Sequence, residues 1–161
     1  MIARIISGGQ TGADRGGLDA AIKLKIPYGG WCPKGRRAED GIIPQKYSKL
    51  LEAPSSHYSV RTEMNVIHSD ATLIFCYSIP DSRGTKETVS YCKKHERPWF
   101  DVFTEIGMFV DDDEGYKYMA GLIKSFDVLN VAGTRESLMP GIQKTVKGRC
   151  LEIFGRLLEG Q

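Results

Sequence analysis

Apolar residues recur along this chain in two rhythms. Short β-branched runs alternate with stretches whose apolar positions fall three and four apart. Ile2 to Ile6 reads as a first strand. Asp14 to Lys25 reads as a helix with Leu18, Ala21, Ile22 and Leu24 turned toward a sheet, and Pro27 predicts its end. Tyr28 to Pro33 predicts a short second strand and a loop, and Leu50 to Ala53 another short strand. Between them, residues 33–48 are rich in Gly, Pro and charge and read as a long surface loop. Ser59 to Ser69 reads as a helix with Val60, Met64 and Ile67 on one face. Ala71 to Cys76 is a continuous apolar run, as in a central strand covered on both faces. A helix over Lys86–His95, a strand over Pro98–Phe103, a helix over Gly115–Phe126, a strand over Val128–Val131 and a closing helix over Ile142–Leu158 complete the pattern.

Strands that alternate with helices predict an α/β class with a mostly parallel sheet. At 161 residues the chain is expected to form one domain over 1–161. Ligands of such sheets bind outside the carboxyl ends of the strands. The loops 7–17, 77–85 and 132–137 lie at those ends and are expected to converge on one crevice.

Composition narrows the partners. Hydrophobic residues make up 41% and charged residues 26%, the balance of an ordinary globular protein. A net charge of +2 is too small to argue for nucleic acid or an anionic membrane. No apolar stretch approaches the roughly 18 residues of a membrane helix. Cys32, Cys76, Cys92 and Cys150 show neither C-x-x-C pairing nor zinc spacing, so reduced thiols and no protein metal site are expected. With no signal peptide ahead of the first strand, the expected location is cytoplasmic.

The candidate chemistry begins at Gly8, Gly9, Gln10, Thr11, Gly12 and Asp14, a glycine-rich turn between a strand and a helix. Such a turn presents backbone N–H groups to an anion. It is not a P-loop, because Arg15-Gly16 follows where Lys-Ser/Thr is needed. It is not a G-x-G-x-x-G fingerprint either, and no acidic residue stands about 20 positions on at the end of a clear second strand to hold a ribose. Gly8 and Gly9 are expected to allow close approach, Thr11 to offer a hydroxyl, and the amides near Gly12 and Ala13 to point at the anion. Asp14 is expected to face a sugar or ring nitrogen.

Three further groups join it. Gly84 and Thr85 precede a helix, with Thr88 one turn along. Gly133, Arg135, Glu136 and Ser137 follow a strand, and Arg135 could clamp a phosphate. Arg61, Thr62 and Asn65 lie within about one helical turn and could meet one ligand. Trp31 could stack on a planar ring. Acid or base candidates are Asp14, Glu63 and Glu136, but there is no nucleophile–base pair, and His68 is expected on a helix surface. No catalytic residue is assigned. The residues favour a binding protein for a phosphorylated small molecule, with a nucleotide-processing enzyme or a nucleotide sensor as alternatives.

Together these stretches resemble the molybdenum cofactor carrier family. The matching segments are Ser7-Gly-Gly-Gln-Thr-Gly-Ala-Asp14, Gly30-Trp-Cys-Pro-Lys-Gly-Arg-Arg-Ala-Glu-Asp-Gly41, Arg61-Thr-Glu-Met-Asn-Val66, Ser69-Asp-Ala-Thr-Leu-Ile74, Gly84-Thr85, Asn130-Val-Ala-Gly133 and Arg135-Glu-Ser137. The resemblance implies a Rossmann-like three-layer α/β/α sandwich, in the wider group that includes lysine-decarboxylase-like nucleoside phosphate hydrolases. It implies a dimer or tetramer that binds molybdopterin, the molybdenum cofactor, with molybdoenzymes as recipients. The pterin dithiolene of that cofactor holds the metal, so the protein need supply no ligand; Cys32 is the one cysteine within the shared segments. Two departures stand out. The resemblance implies proline where this chain has Thr134. The hydrolase relatives carry P-G-G-x-G-T-x-x-E, against Asp81-Ser-Arg-Gly-Thr-Lys-Glu-Thr88 here. Glu87 comes one residue early, about 100° around a helix from Thr88, and is expected to point away from a ligand that Thr88 faces.

Overall fold

The computed structural model describes residues 2–80, 82–107 and 112–160. Strand β1 (Arg4–Ser7) leads through the glycine turn into helix α1 (Ala13–Lys23). Then come β2 (Tyr28–Gly29), β3 (Trp31–Cys32), a hairpin of β4 (Arg37–Ala38) and β5 (Gly41–Ile42), and β6 (Leu51–Glu52). The second half runs α2 (Tyr58–Ile67), β7 (Ala71–Phe75), α3 (Arg83–Lys94), β8 (Trp99–Asp101), α4 (Val102–Ile106), α5 (Asp113–Ile123), β9 (Val128–Gly133) and α6 (Ile142–Glu159). Five strands form the central sheet in the order β2-β1-β9-β7-β8, and each neighbouring pair is parallel. The last strand in sequence therefore sits at the centre.

Side chains alternate across a strand, and here the alternation builds three layers. Ile5, Leu73, Phe75, Leu129 and Val131 face a large core closed by α1, α5 and α6. On the other face, Ile74 packs with Val89 of α3, and α2 packs beside α3. Thr72 and Asn130 share this second face. No helix of the described residues is long and apolar enough to cross a membrane.

Most predicted elements lie within a few residues of their expected limits, and the differences have local causes. Helix α1 is over before Pro27, where Lys25 takes a left-handed turn at φ 58°. The run Pro98–Phe103 is not all strand. Asp101 accepts the Thr104 N–H at 3.3 Å and starts α4, so Val102 and Phe103 are helical. Helix α3 starts at Arg83 rather than Lys86 because Ser82 caps it through the Thr85 N–H. Asp81, which opens that predicted motif, lies outside the described residues.

The stretch 33–48 is more than a solvated excursion. It buries Ala38, Ile43 and Tyr47 with Leu18, Cys32 and Leu50 in a second small core. Strands β3 and β6 pair with each other instead of joining the central sheet. Asp19 of α1 anchors the stretch, accepting from Lys46 Nζ at 2.9 Å, Tyr47 OH at 2.9 Å and Gln143 Nε2 at 3.1 Å. Thr134 shows why threonine suits a position where proline was implied. Its N–H donates to the Phe75 carbonyl at 2.9 Å, a bond proline lacks, although its hydroxyl is buried without a partner among the described residues.

Candidate functional site

A cavity of about 570 Å³ opens at the carboxyl ends of the sheet, with β9 as its floor and α2 and α3 as walls. That is the size of a typical small-molecule site. All three loops expected to converge reach it: Gly8, Gln10 and Asp14 from the first, Ser82, Arg83 and Gly84 from the second, and Gly133 and Arg135 from the third. Arg61, Thr62, Asn65 and Thr88 also line it. Gly9, Thr11, Gly12, Thr85, Glu136 and Ser137 are not among the lining residues. Residues that sequence reasoning missed, including His57, Tyr58, Ser59, Arg83, Glu87, Asn130 and Leu138, are part of the wall.

Three backbone donors of the glycine-rich turn are spent within the protein. The Gln10 N–H donates to Asp14 Oδ2 at 3.1 Å, the Thr11 N–H to Gln10 Oε1 at 3.0 Å, and the Ala13 N–H to the Thr134 carbonyl at 3.0 Å. The Ala13 amide, expected to point at an anion, is thus spent on the Thr134 carbonyl. The turn's glycines make room for neighbouring chain segments. A methyl on Gly12 would lie 2.4 Å from the Thr134 carbonyl oxygen, and one on Gly9 2.8 Å from Leu50 Cδ1. A methyl on Gly8 would meet Arg61 Nη1 at 1.9 Å.

Asp14 itself is the anion of this turn. It is 4% exposed, and its Oδ2 accepts from Arg61 Nη1 at 3.1 Å. Burial pushes its carboxyl up, against the Arg61 charge and the Gln10 N–H, which pull it down. Arg61 lies over the Tyr58 ring at 5.6 Å, and its Nε is buried with no partner among the described residues. Asn65 was expected to orient a ligand. It lines the cavity, and its amide also clamps the Trp31 backbone, accepting from N–H at 2.8 Å and donating to C=O at 2.9 Å. Trp31 lies in β3 against His68, 5.7 Å between ring centroids, and is not among the residues lining the cavity. Thr62 donates to the Tyr58 carbonyl at 2.8 Å.

The open helix N-terminus belongs to α3. Ser82 satisfies the Thr85 N–H, so Thr85 is committed to the cap and 2% exposed. The amides of Arg83 and Gly84 have no acceptor within the helix. A methyl on Gly84 would meet nothing within 4 Å. Arg83 lines the cavity with no ion pair to a described residue. Glu87 lines the cavity beside Thr88, which corrects the expectation that it points away. The wall takes Arg83, Gly84, Glu87 and Thr88, a face broad enough to hold successive residues. Thr88 Oγ1 donates to the Gly84 carbonyl at 3.1 Å.

One carboxylate ties the loops behind the cavity. Glu39 accepts from Thr11 Oγ1, from Ser137 N–H at 3.1 Å and from Ser137 Oγ at 2.5 Å, and it lies 3.4 Å from Arg135 Nε. Glu136 caps α6 by accepting the Gly141 and Gln143 N–H groups. Thr11, Glu136 and Ser137 therefore hold the scaffold. Burial raises the Glu39 carboxyl, but the Ser137 and Thr11 hydrogen bonds and the Arg135 charge outweigh it and leave it below its usual 4.5. A lowered carboxylate supplies stability that is present above its unfolded value and is lost as pH falls through its folded value. Amide hydrogen exchange over residues 133–137 is expected to accelerate as pH drops below 4.5. Glu39→Gln should show the fast exchange already at neutral pH, after correction for the intrinsic rates.

The acid and base candidates are engaged elsewhere or paired. Glu63 lies 2.7 Å from Lys94 Nζ and 2.8 Å from His95 Nε2, while Asp14 and Glu136 are held as described. Cys32, Cys76, Cys92 and Cys150 are all buried. Among the described residues no three His, Cys, Asp or Glu side chains group as a metal site.

Residues 5–154 match the model of the circularly permutated YpsA SLOG family. A crystal structure from Syntrophus aciditrophicus SB, described as "Putative molybdenum carrier protein", is similar to this chain at 41% identity. The match covers 95% of this chain and 94% of that one with a TM-score of 0.82. No curated protein matches the chain.

Proposed function

Because the chain belongs to the circularly permutated YpsA SLOG family, we propose that it is a molybdenum cofactor carrier that holds a phosphorylated pterin or nucleotide-like ligand in the cavity over β9. The observation that carries this reading is the meeting of the open α3 amides with Arg83 and Arg135 in one cavity. A helix N-terminus with flanking guanidinium groups suits a phosphate. The 41% identical relative described as a molybdenum carrier supports the choice of ligand.

The residues fit such a group. The Arg83 and Gly84 amides, Arg83 and Arg135 would hold the phosphate. Arg61 stays with Asp14 and stiffens the opposite wall. The cofactor supplies its own dithiolene for the metal, so the protein's part is to bind, orient and shield. Arg83→Ala and Arg135→Ala are each expected to weaken a phosphorylated pterin or nucleotide about tenfold to a hundredfold, as for a lost charge-assisted bond. The dephosphorylated forms should bind both variants and the parent alike by calorimetry. A ligand at about 100 times its Kd should stabilise the fold by roughly 2.7 kcal/mol. If no phosphorylated pterin or nucleotide raises the melting temperature, the reading fails.

Glu87 favours a second reading, a nucleoside phosphate hydrolase, because it brings a carboxylate to the cavity wall. Incubation with nucleoside monophosphates distinguishes the two. A carrier releases no free base, whereas release abolished by Glu87→Gln would establish the enzyme.

A further inference from the structure

Asn130 sits within β9, three positions before its last residue, at 3% exposure on the cavity floor. Its Nδ2 donates to Thr72 Oγ1 at 3.2 Å. A primary amide has two N–H donors and one carbonyl acceptor. One N–H is committed to Thr72; the other and Oδ1 have no protein partner among the described residues. Oδ1 is not sealed in the interior as Arg61 Nε and Thr134 Oγ1 are. The neighbouring strand contributes apolar Ile74 to this face. An amide beside Thr72 and Ile74 on this sheet face, with one N–H and its carbonyl oxygen unspent at the cavity floor, needs a partner.

We propose that Asn130 selects the ligand by its ring, resting on the carrier reading above. The free N–H and Oδ1 pair with an adjacent acceptor and donor on a heterocycle, the lactam or amidine edge that pterins and purines share. Asn130 precedes Gly133 by three strand positions, about 10 Å. That spacing lets one ligand place its ring on the floor and its phosphate toward the loop that carries Arg135, in the cavity that α3 also lines. Arg83 and Arg135 hold any phosphate, and Asn130 adds the preference for what is attached to it.

The test uses calorimetry with four probes: a monophosphorylated pterin, guanosine monophosphate, the ring-N-methylated form of the latter, and ribose phosphate, which has no ring. The unaltered protein should prefer guanosine monophosphate over its methylated form by about tenfold to a hundredfold, as for a lost bidentate pair. Asn130→Ala and Asn130→Leu should lose most of that preference and leave ribose phosphate binding unchanged. The methylated probe on the unaltered protein keeps the test independent of how well either variant folds. Equal affinity of the unaltered protein for the methylated and unmethylated probes overturns the assignment. Equal loss of ring-bearing and ringless probes in Asn130→Ala also overturns it, because that marks a structural role. If ribose phosphate binds through Arg83 without ring preference, only this inference falls. If none of the four probes binds, both readings fall.

Discussion

Gly12→Ala is expected to lower the melting temperature by about 10 °C or more. Gly12 has φ 82° and ψ −128°, a region in which essentially only glycine is at ease. The added methyl would lie 2.4 Å from Thr134 O, 2.7 Å from Glu136 N and 2.8 Å from Arg135 C. All three are backbone atoms, so no side chain can swing aside. Backbone strain of about 1–3 kcal/mol adds to overpacking of about 1–3 kcal/mol. For a domain of this length each kcal/mol moves the midpoint by roughly 2–4 °C. Gly84→Ala is the matched control. Its methyl meets nothing within 4 Å and stands in a helix, so stability should hold or rise slightly. The methyl would still crowd the open α3 amides, so phosphorylated ligands should bind it less well. Calorimetric melting and ligand titration of both variants check the contrast. Equal melting loss in the two would remove the distinction between a packing glycine and an exposed one.

That contrast also shows where the sequence was readable. The continuous apolar run at 71–75 and the periodic helices follow from local pattern, so β7, α1, α5 and α6 could be placed in advance. Two-residue strands carry no period, which is why the pairing of β3 with β6 could not be read. The motif Gly8-Gly-Gln-Thr-Gly12 signals a special backbone, but a glycine fits a close neighbour as well as a ligand. What fills the space is decided by residues far away in sequence. Glu39 reaches Thr11 across 28 positions and Ser137 across 98. Glu87 was misplaced because one helical step was treated as leaving the site, whereas the cavity spans a broad face of α3. Arg83 and Asn130 stand inside segments read as motifs, but neither was singled out as a ligand contact until the cavity wall brought them together.

The pair Asp14–Arg61 supports the second large prediction. Removing one partner of a buried pair leaves an uncompensated charge and costs about 3–5 kcal/mol. Arg61→Ala is therefore expected to be strongly destabilised near neutral pH. The pH dependence separates this cause from lost packing. Burial already raises the Asp14 carboxyl above its usual 3.8, and the Arg61 charge restrains it. Without Arg61 it should rise further. A group raised in the folded state favours folding below its unfolded value, and that contribution is lost as pH rises through the folded value. The deficit of Arg61→Ala relative to the parent should thus be small near pH 3.8 and grow toward neutrality. Adding Asp14→Asn removes the stranded charge, keeps an acceptor for the Gln10 N–H, and should restore much of the loss at neutral pH. Denaturant melts of the parent, the two single variants and the double variant at several pH values measure the coupling. A deficit independent of pH, unrelieved in the double variant, would mean that Arg61 acts through its packing over Tyr58 and that the ion pair with Asp14 contributes little.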